Sequence, residues 1–185
     1  MVVRLIILGG PGAGKGTQAE RLSKTLNLPR ISTGDILREA IAAGTELGKQ
    51  VQAQVEQGEL VPDQAMIQLI RERLLQSDVA QGWLLDGYPR TAFQAEELDF
   101  LLDDLQQHLD QAIWLEVSES MLMSRSLGQG RVDDTESAIQ RRITLFAERT
   151  TPLTDYYEFG DRLLRINGDQ AIEAVEQEII RLLGQ

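Results

Sequence analysis

The sequence predicts an α/β fold: a five-stranded parallel sheet with helices on both faces, in a single domain spanning residues 1–185. Two observations carry this expectation. Short apolar runs of strand length alternate with helix-length segments whose apolar residues recur near every 3.6 positions, the pattern of βαβ units that close on a parallel sheet. No internal repeat, low-complexity tract or Pro/Gly-rich linker divides the chain, and its length suffices to bury one sizeable core.

Taken in order, the first strand is expected at residues 4–8, running into Gly9. Met1-Val2-Val3 puts no basic segment ahead of it, so the start reads as a core strand rather than a secretory leader, and a cytoplasmic protein is expected. A glycine-rich stretch leads to a helix over 18–26, and a short strand follows around Arg30-Ile31. Ser32-x-x-Asp35 has the form of a capping box and opens the next helix. Pro62-Asp63 marks the entry to a helix over 66–75; Trp83-Leu84-Leu85 is the third strand, 113–117 the fourth and 163–166 the fifth. Gly168-Asp169 precedes a last helix over 172–183. Two stretches break the alternation: 41–61, which contains Gly44, Gly48 and Gly58, and 128–135, which is short and polar. Both lie between core elements, where flaps over a site would be placed.

Composition narrows the function classes. Eighteen basic against 29 acidic residues give a net charge of −11, which argues against nucleic acid or an anionic membrane as partner. No apolar run approaches the length of a membrane-spanning helix. A chain so acidic that handles phosphates must gather its few cations where the phosphates sit. The absence of cysteine excludes disulfides and thiolate zinc sites, and the single His108, flanked by polar residues, reads as a surface residue.

The strongest local signal is Gly9-Gly10-Pro11-Gly12-Ala13-Gly14-Lys15-Gly16-Thr17, between the first strand and the first helix. Glycines let successive N–H groups turn inward, the helix presents its positive end, and Lys15 adds a cation for β- and γ-phosphates. The spacing Gly9-x4-Gly14-Lys15 is that of a P-loop in its proper context. Gly16 stands where that motif usually has a hydroxyl, which here is displaced to Thr17, so Thr17 reads as phosphate-proximal and as a secondary metal candidate. Asp86 closes the third strand and puts a carboxylate at the sheet edge beside the loop, suited to Mg2+ held through water. A plain turn before Gly87 is its competing reading.

With Gln18, this loop is joined by Ser32-Thr33-Gly34-Asp35-x-x-Arg38, Gly58-x-Leu60-Val61-Pro62-Asp63, Asp86-Gly87-Tyr88-Pro89-Arg90 with Gln94, and Gly130-Arg131-Val132-Asp133-Asp134 with Arg141-Arg142. Together these resemble the adenylate kinases, P-loop nucleoside monophosphate kinases, in the family's order from residue 5 to about 170. The resemblance implies Mg-ATP and AMP as substrates, two ADP as products, a helical AMP-side flap at 32–61 and a short lid at 125–135. It implies that Gly10, Pro11, Gly12, Ala13, Gly14, Lys15, Gly16, Thr17, Arg125 and Gln170 bind ATP. Thr33, Gly34, Arg38, Leu60, Val61, Gly87, Arg90, Gln94, Arg131 and Arg142 would bind AMP. Lys15, Arg90, Arg125, Arg131 and Arg142 would be the catalytic cations; Asp133 and Asp134 would steady the lid or, equally, form an acidic helix start that complements the macrodipole. Arginine suits the task because its planar fork grips phosphate oxygens in pairs and stays charged.

The resemblance also marks departures. Only Gly128-Gln129-Gly130 separates Leu127 from Arg131, so the lid is the short form and no structural zinc is expected. Gln129 stands where short-lid relatives commonly carry arginine. Thr33 and Gln94 speak for adenine over the pyrimidines of UMP/CMP kinases, and no Asn-Lys-x-Asp element for guanine appears. A nucleotide sensor with little turnover stays open on Gln129 alone. A monomer is expected, since no sustained heptad or apolar stripe is present.

Overall fold

A computed structural model describes residues 2–130 and 135–184 of the chain. Five strands, β1 (Val3–Gly9), β2 (Arg30–Ser32), β3 (Gly82–Asp86), β4 (Gln111–Glu116) and β5 (Leu163–Asn167), form one sheet in the order β2-β3-β1-β4-β5. Every pairing is parallel. All five expected strands are therefore present, each slightly longer than or offset from its apolar run. The polar end residues, such as Gln111 and Asn167, complete ladder pairs that hydrophobicity alone does not reveal.

Between the strands run α1 (Lys15–Leu26), α2 (Thr33–Ala42), α3 (Glu46–Gln57), α4 (Asp63–Leu74), α5 (Ala92–Asp104), α6 (Glu119–Leu127), α7 (Glu136–Leu145), α8 (Leu153–Phe159) and α9 (Ile172–Leu182). A turn of π-helix at Phe146–Thr150 joins α7 to α8. Strand alternation divides the interior in two. Leu5, Ile7, Leu84 and Ile113 face α1 and α9 with Ala19, Leu22, Val175 and Ile179. Ile6, Leu8, Trp83, Leu85 and Trp114 face the opposite layer with Ile70, Leu98, Leu102 and Tyr157. Each such fully buried large side chain contributes roughly 1.5–3 kcal/mol. No helix among the described residues is long and apolar enough to cross a membrane.

The irregular stretch 41–61 is largely helical: α2 runs to Ala42, and α3 restarts after Thr45, whose hydroxyl accepts the Gly48 N–H at 3.1 Å. Its glycines obscure this in the local pattern, where only the family resemblance implies a helical segment, and they serve packing. A Cβ on Gly48 would collide with the Ala40 carbonyl, and one on Gly58 with the Ala138 carbonyl of α7. This segment is thus seated against α7, where Arg141 also forks onto Glu59 at 2.6 and 3.2 Å. His108 is exposed beside Asp110, in keeping with its reading as a surface residue.

Candidate active site

The C-terminal ends of β1, β2 and β3 converge, since Ile7 and Ser32 both stand in register with Asp86. A cleft of about 610 Å³ opens there, at the sheet edge where parallel α/β folds bind their ligands. Helix α1 begins at Lys15, earlier than its apolar pattern suggests, because Gly14 caps it in the left-handed conformation (φ 91°). Lys15, Gly16 and Thr17 therefore occupy the first turn, where backbone N–H groups lack intrahelical partners and point at an anion. Pro11, Gly12, Gly14, Lys15, Gly16 and Thr17 line the cleft, while Ala13 is buried behind it and the Gly10 carbonyl accepts from the Ala13 N–H at 3.1 Å. Gly12 (φ 78°) has no room for a side chain: a Cβ would fall 2.8 Å from Ser126 Oγ. The Lys15 ammonium donates to the Gly9 and Gly10 carbonyls at 2.8 Å each, so the cation is held over its own loop.

Among the described residues, five of the chain's 18 basic side chains line this one cleft: Lys15, Arg30, Arg38, Arg90 and Arg142. That gathering is what an acidic phosphate-handling protein requires. Arg90 is fixed from three sides. Its N–H donates to Gln94 Oε1 at 2.8 Å, its carbonyl accepts from Thr150 Oγ1 at 2.9 Å, and its Nε donates to the Gly87 carbonyl at 2.9 Å. Burial pulls its guanidinium below the ordinary arginine range; Asp86 opposes this, and the nearby Arg142 and Arg38 add to it. Cations that crowd and destabilise one another mark a place built for a polyanion.

Asp86 meets Arg30 at 2.7 Å, and the same Arg30 nitrogen lies 3.3 Å from Asp35, which in turn receives Arg38 at 2.6 Å. Burial works to raise the Asp35 carboxyl, but hydrogen bonds from Arg38 and Ser32 and the charges of Arg38 and Arg30 outweigh it and hold it below the usual range. Ser32 Oγ accepts the Asp35 N–H at 3.3 Å, so the expected cap forms. Arg30 carried no signal in the sequence, since a polar residue on a three-residue strand has no periodicity to betray its direction. Replacing it by leucine leaves the nearly buried Asp86 carboxylate without its partner. That change is expected to lower stability by about 2 kcal/mol in urea unfolding, and Arg30→Leu with Asp86→Asn together is expected to recover most of it.

At the end of β3 Thr33 is buried and donates to the Asp86 carbonyl at 3.3 Å. Gly87 (φ 93°) packs so closely that a Cβ would sit 2.6 Å from Thr33 Oγ1. Gly34, Leu60, Val61 and Gln94 line the same end, joined by Val55, Met66 and Phe146. These last three escaped sequence reasoning because apolar lining looks like core; Phe146 does stack on the core residue Trp114 at 5.2 Å. Gln129 also reaches the cleft. Arg125 and Gln170 are brought instead to the loop after β5, outside the cleft lining. Arg125 donates to the Gly168 carbonyl at 3.0 Å, and Gln170 to the Asn167 carbonyl at 3.1 Å. Arg131, Asp133, Asp134 and the lid segment through them lie outside the described residues.

A strand, a glycine loop and a helix carrying Lys15, set in a parallel sheet and faced by converging arginines, define a P-loop phosphotransferase of nucleotides. The adenylate kinase family model matches residues 7–161. Adenylate kinase 2 of Nostoc sp. is 57% identical over 181 residues, covering 98% of each chain. Adenylate kinase 2 of Synechocystis sp. is 51% identical over 98% of this chain and 100% of its own. The adenylate kinase of Corynebacterium urealyticum is 46% identical over 95% and 96%. The chain belongs to the adenylate kinase family.

Proposed function

We propose that the cleft residues divide between them the work of an adenylate kinase, which transfers the terminal phosphoryl group of ATP to AMP, reversibly, and yields two ADP. The observation that carries the assignment is the gathering of Arg38, Arg90 and Arg142, close enough to act on one another's charge, in the same cleft that Lys15 and its glycine loop line. The P-loop N–H groups and Lys15 hold the donor phosphates. Arg38 and Arg90 hold the AMP phosphate, with Thr33, Gly87, Gln94, Leu60 and Val61 around its base and ribose. Arg142, with Arg131 and Arg125 from the lid side, covers the transferring group. Segments 32–61 and 125–135 act as flap and lid of a single domain.

The acceptor is a phosphate oxygen already ionised at neutral pH, since a phosphomonoester loses its second proton near ~6. Its attack forms a new O–P bond at the γ-phosphorus as the bridging bond to the β-phosphate breaks. The electron pair leaves with ADP and no proton need be removed by the protein. Alignment and charge stabilisation then carry the rate. Asp86 and Thr17 line the cleft as carboxylate and hydroxyl, the oxygen donors a hard cation takes, so both fit Mg2+ delivered with the nucleotide. Bound there, the ion would neutralise charge on the β- and γ-phosphates. Among the described residues no group of three or more His, Cys, Asp or Glu is placed to hold a metal by itself. We read the enzyme as a cytoplasmic monomer acting on free ATP, AMP and ADP, on the sequence grounds above.

The test is ADP formation from Mg-ATP with AMP, UMP, CMP or GMP as sole acceptor. Strong turnover with AMP alone is expected, and equal turnover with UMP or CMP overturns the roles given to Thr33 and Gln94. A second prediction concerns Gln129, a neutral side chain in the cleft lining. Gln129→Arg adds a cation where charge develops and is expected to raise kcat/KM for ATP about fivefold, the worth of roughly 1 kcal/mol for one partly exposed contact. Unchanged or poorer steady-state constants would sink it.

A further inference from the structure

Gln94 is held more rigidly than reading a base requires. It lies in the first turn of α5 and is only 2% exposed. Its N–H donates to Thr91 Oγ1 at 3.2 Å, and its carbonyl accepts the Tyr88 hydroxyl at 3.0 Å. Tyr88 is itself fully buried, and burial first, then the charges of Glu97 and Asp63, raise its phenol far above the ordinary value, so it stays a donor. The backbone of Gln94 is thus pinned at both ends.

The side-chain amide is pinned as well, and by partners of opposite kind. Oε1 accepts the Arg90 N–H at 2.8 Å, while Nε2 donates to Asp63 Oδ1 at 2.7 Å. A backbone N–H can only donate, and an ionised carboxylate can only accept. Turning the amide over would therefore set NH2 against N–H and oxygen against carboxylate, converting two hydrogen bonds into two repulsions. One N–H and one oxygen lone pair remain for the base, in an order the protein has fixed.

We propose that Asp63 is a specificity-determining positioning residue: by fixing which end of the Gln94 amide donates, it makes the site select a 6-aminopurine monophosphate over a 6-oxopurine one. The inference rests on the reading of Gln94 as an adenine contact. A 6-aminopurine edge presents an exocyclic donor beside a ring acceptor, whereas a 6-oxopurine presents an oxygen acceptor at that same place. An amide free to turn over can serve both; an amide of fixed polarity serves one and leaves the other with donor facing donor and acceptor facing acceptor. Asp63 is the first residue of α4, directly after the N-cap Pro62, so the carboxylate sits in the first turn, 31 residues from its amide partner.

The experiment compares kcat and KM for AMP and for inosine monophosphate, with Mg-ATP saturating, in the parent and in Asp63→Asn, Asp63→Ser and Asp63→Glu. Asparagine can present either a donor or an acceptor, so the lock is halved. The AMP preference in kcat/KM is expected to fall about tenfold in Asp63→Asn, the scale of one charge-assisted hydrogen bond. The change should appear in acceptor KM, with KM for ATP unmoved. Asp63→Glu restores an acceptor-only partner and is expected to keep most of the preference. Asp63→Ser, whose hydroxyl can likewise donate or accept, carries the same test should the asparagine variant fail to fold. A rise in KM by the same factor for both acceptors would show a merely structural role and overturn the proposal. Gln94→Met separates the two layers. If it leaves the AMP preference intact, the adenine reading of Gln94 falls. If it abolishes the preference while Asp63→Asn and Asp63→Ser do not, that reading stands and the role of Asp63 falls.

Discussion

Arg90→Met is expected to lower kcat/KM for AMP by about 10³-fold, the loss typical of removing one preorganised donor from a developing charge, without weakening the fold. The two halves of this expectation have separate physical grounds. The turn at Arg90 is held through backbone atoms, its N–H by Gln94 and its carbonyl by Thr150, and neither bond depends on the side chain. The side chain itself makes one of the bonds that fix the turn, from Nε to the Gly87 carbonyl at 2.9 Å, and its loss is offset because burial, Arg142 and Arg38 disfavour the charge in the folded protein. Asp86 keeps Arg30 as its partner. Methionine retains the apolar stem, so thermal unfolding should occur no lower than in the parent. Arg90→Lys restores a point charge but not the planar fork, and is expected to recover about tenfold of the loss. Steady-state kinetics with AMP varied, alongside a melting curve, check both halves. A kcat/KM within tenfold of the parent would remove Arg90 from the catalytic set.

What the sequence could and could not disclose follows from the range of each interaction. The strands, the glycine cradle and the Ser32 cap are local and were legible, because periodicity, turn chemistry and capping act within a few residues. Arg90 and Gln94 were legible only as positions matching a family pattern; nothing local told that the two are hydrogen-bonded to each other, or that Asp63 completes the arrangement. Arg30 joins Asp86 across 56 residues and was invisible for the same reason. Helix α3 is obscured in the local pattern by glycines that read as breakers, so only the family resemblance implied helix there; Gly48 is there because a second helix passes too close for a Cβ. Val55, Met66 and Phe146 show the converse: apolar residues are expected in a core, and only the fold distinguishes those that face the cleft.

The arrangement of charge explains how so acidic a chain can hold two polyanions. Asp86, Arg30, Asp35 and Arg38 form an alternating chain across the floor of the cleft, in which each carboxylate is matched by a neighbouring guanidinium. Arg38 and Arg30 are thereby oriented through hydrogen bonds rather than left as flexible surface cations, which lessens the entropy lost when phosphates arrive. Exposed acidic residues away from the cleft, such as Glu72, Glu96 and Glu173, add to the net charge but little to the local field, because exposed charges beyond a Debye length of about 8 Å are screened.

Among the described residues lining the cleft, Lys15 is the cation carried by the glycine loop, and Lys15→Ala is expected to reduce kcat by about 10³-fold, comparable to the loss of a charge that stabilises a transferring phosphoryl group. Its ammonium bridges the Gly9 and Gly10 carbonyls at 2.8 Å, so it shapes the loop as well as meeting phosphate. The two contributions separate by measurement. If Lys15 acted only by shaping the loop, ATP affinity and kcat would fall together, because a collapsed cradle fails ground state and transition state alike. If it acts on charge that grows during transfer, ATP binding measured by calorimetry should weaken only about tenfold while kcat falls much further. Lys15→Met tests the same point while keeping the stem that fills the space over the loop. Its ATP affinity should stay nearer the parent's, and its kcat should match that of the alanine variant. A methionine variant that turned over at a tenth of the parent rate or better would assign the lysine to loop geometry and leave the N–H groups at the start of α1 as the donor-side stabilisers.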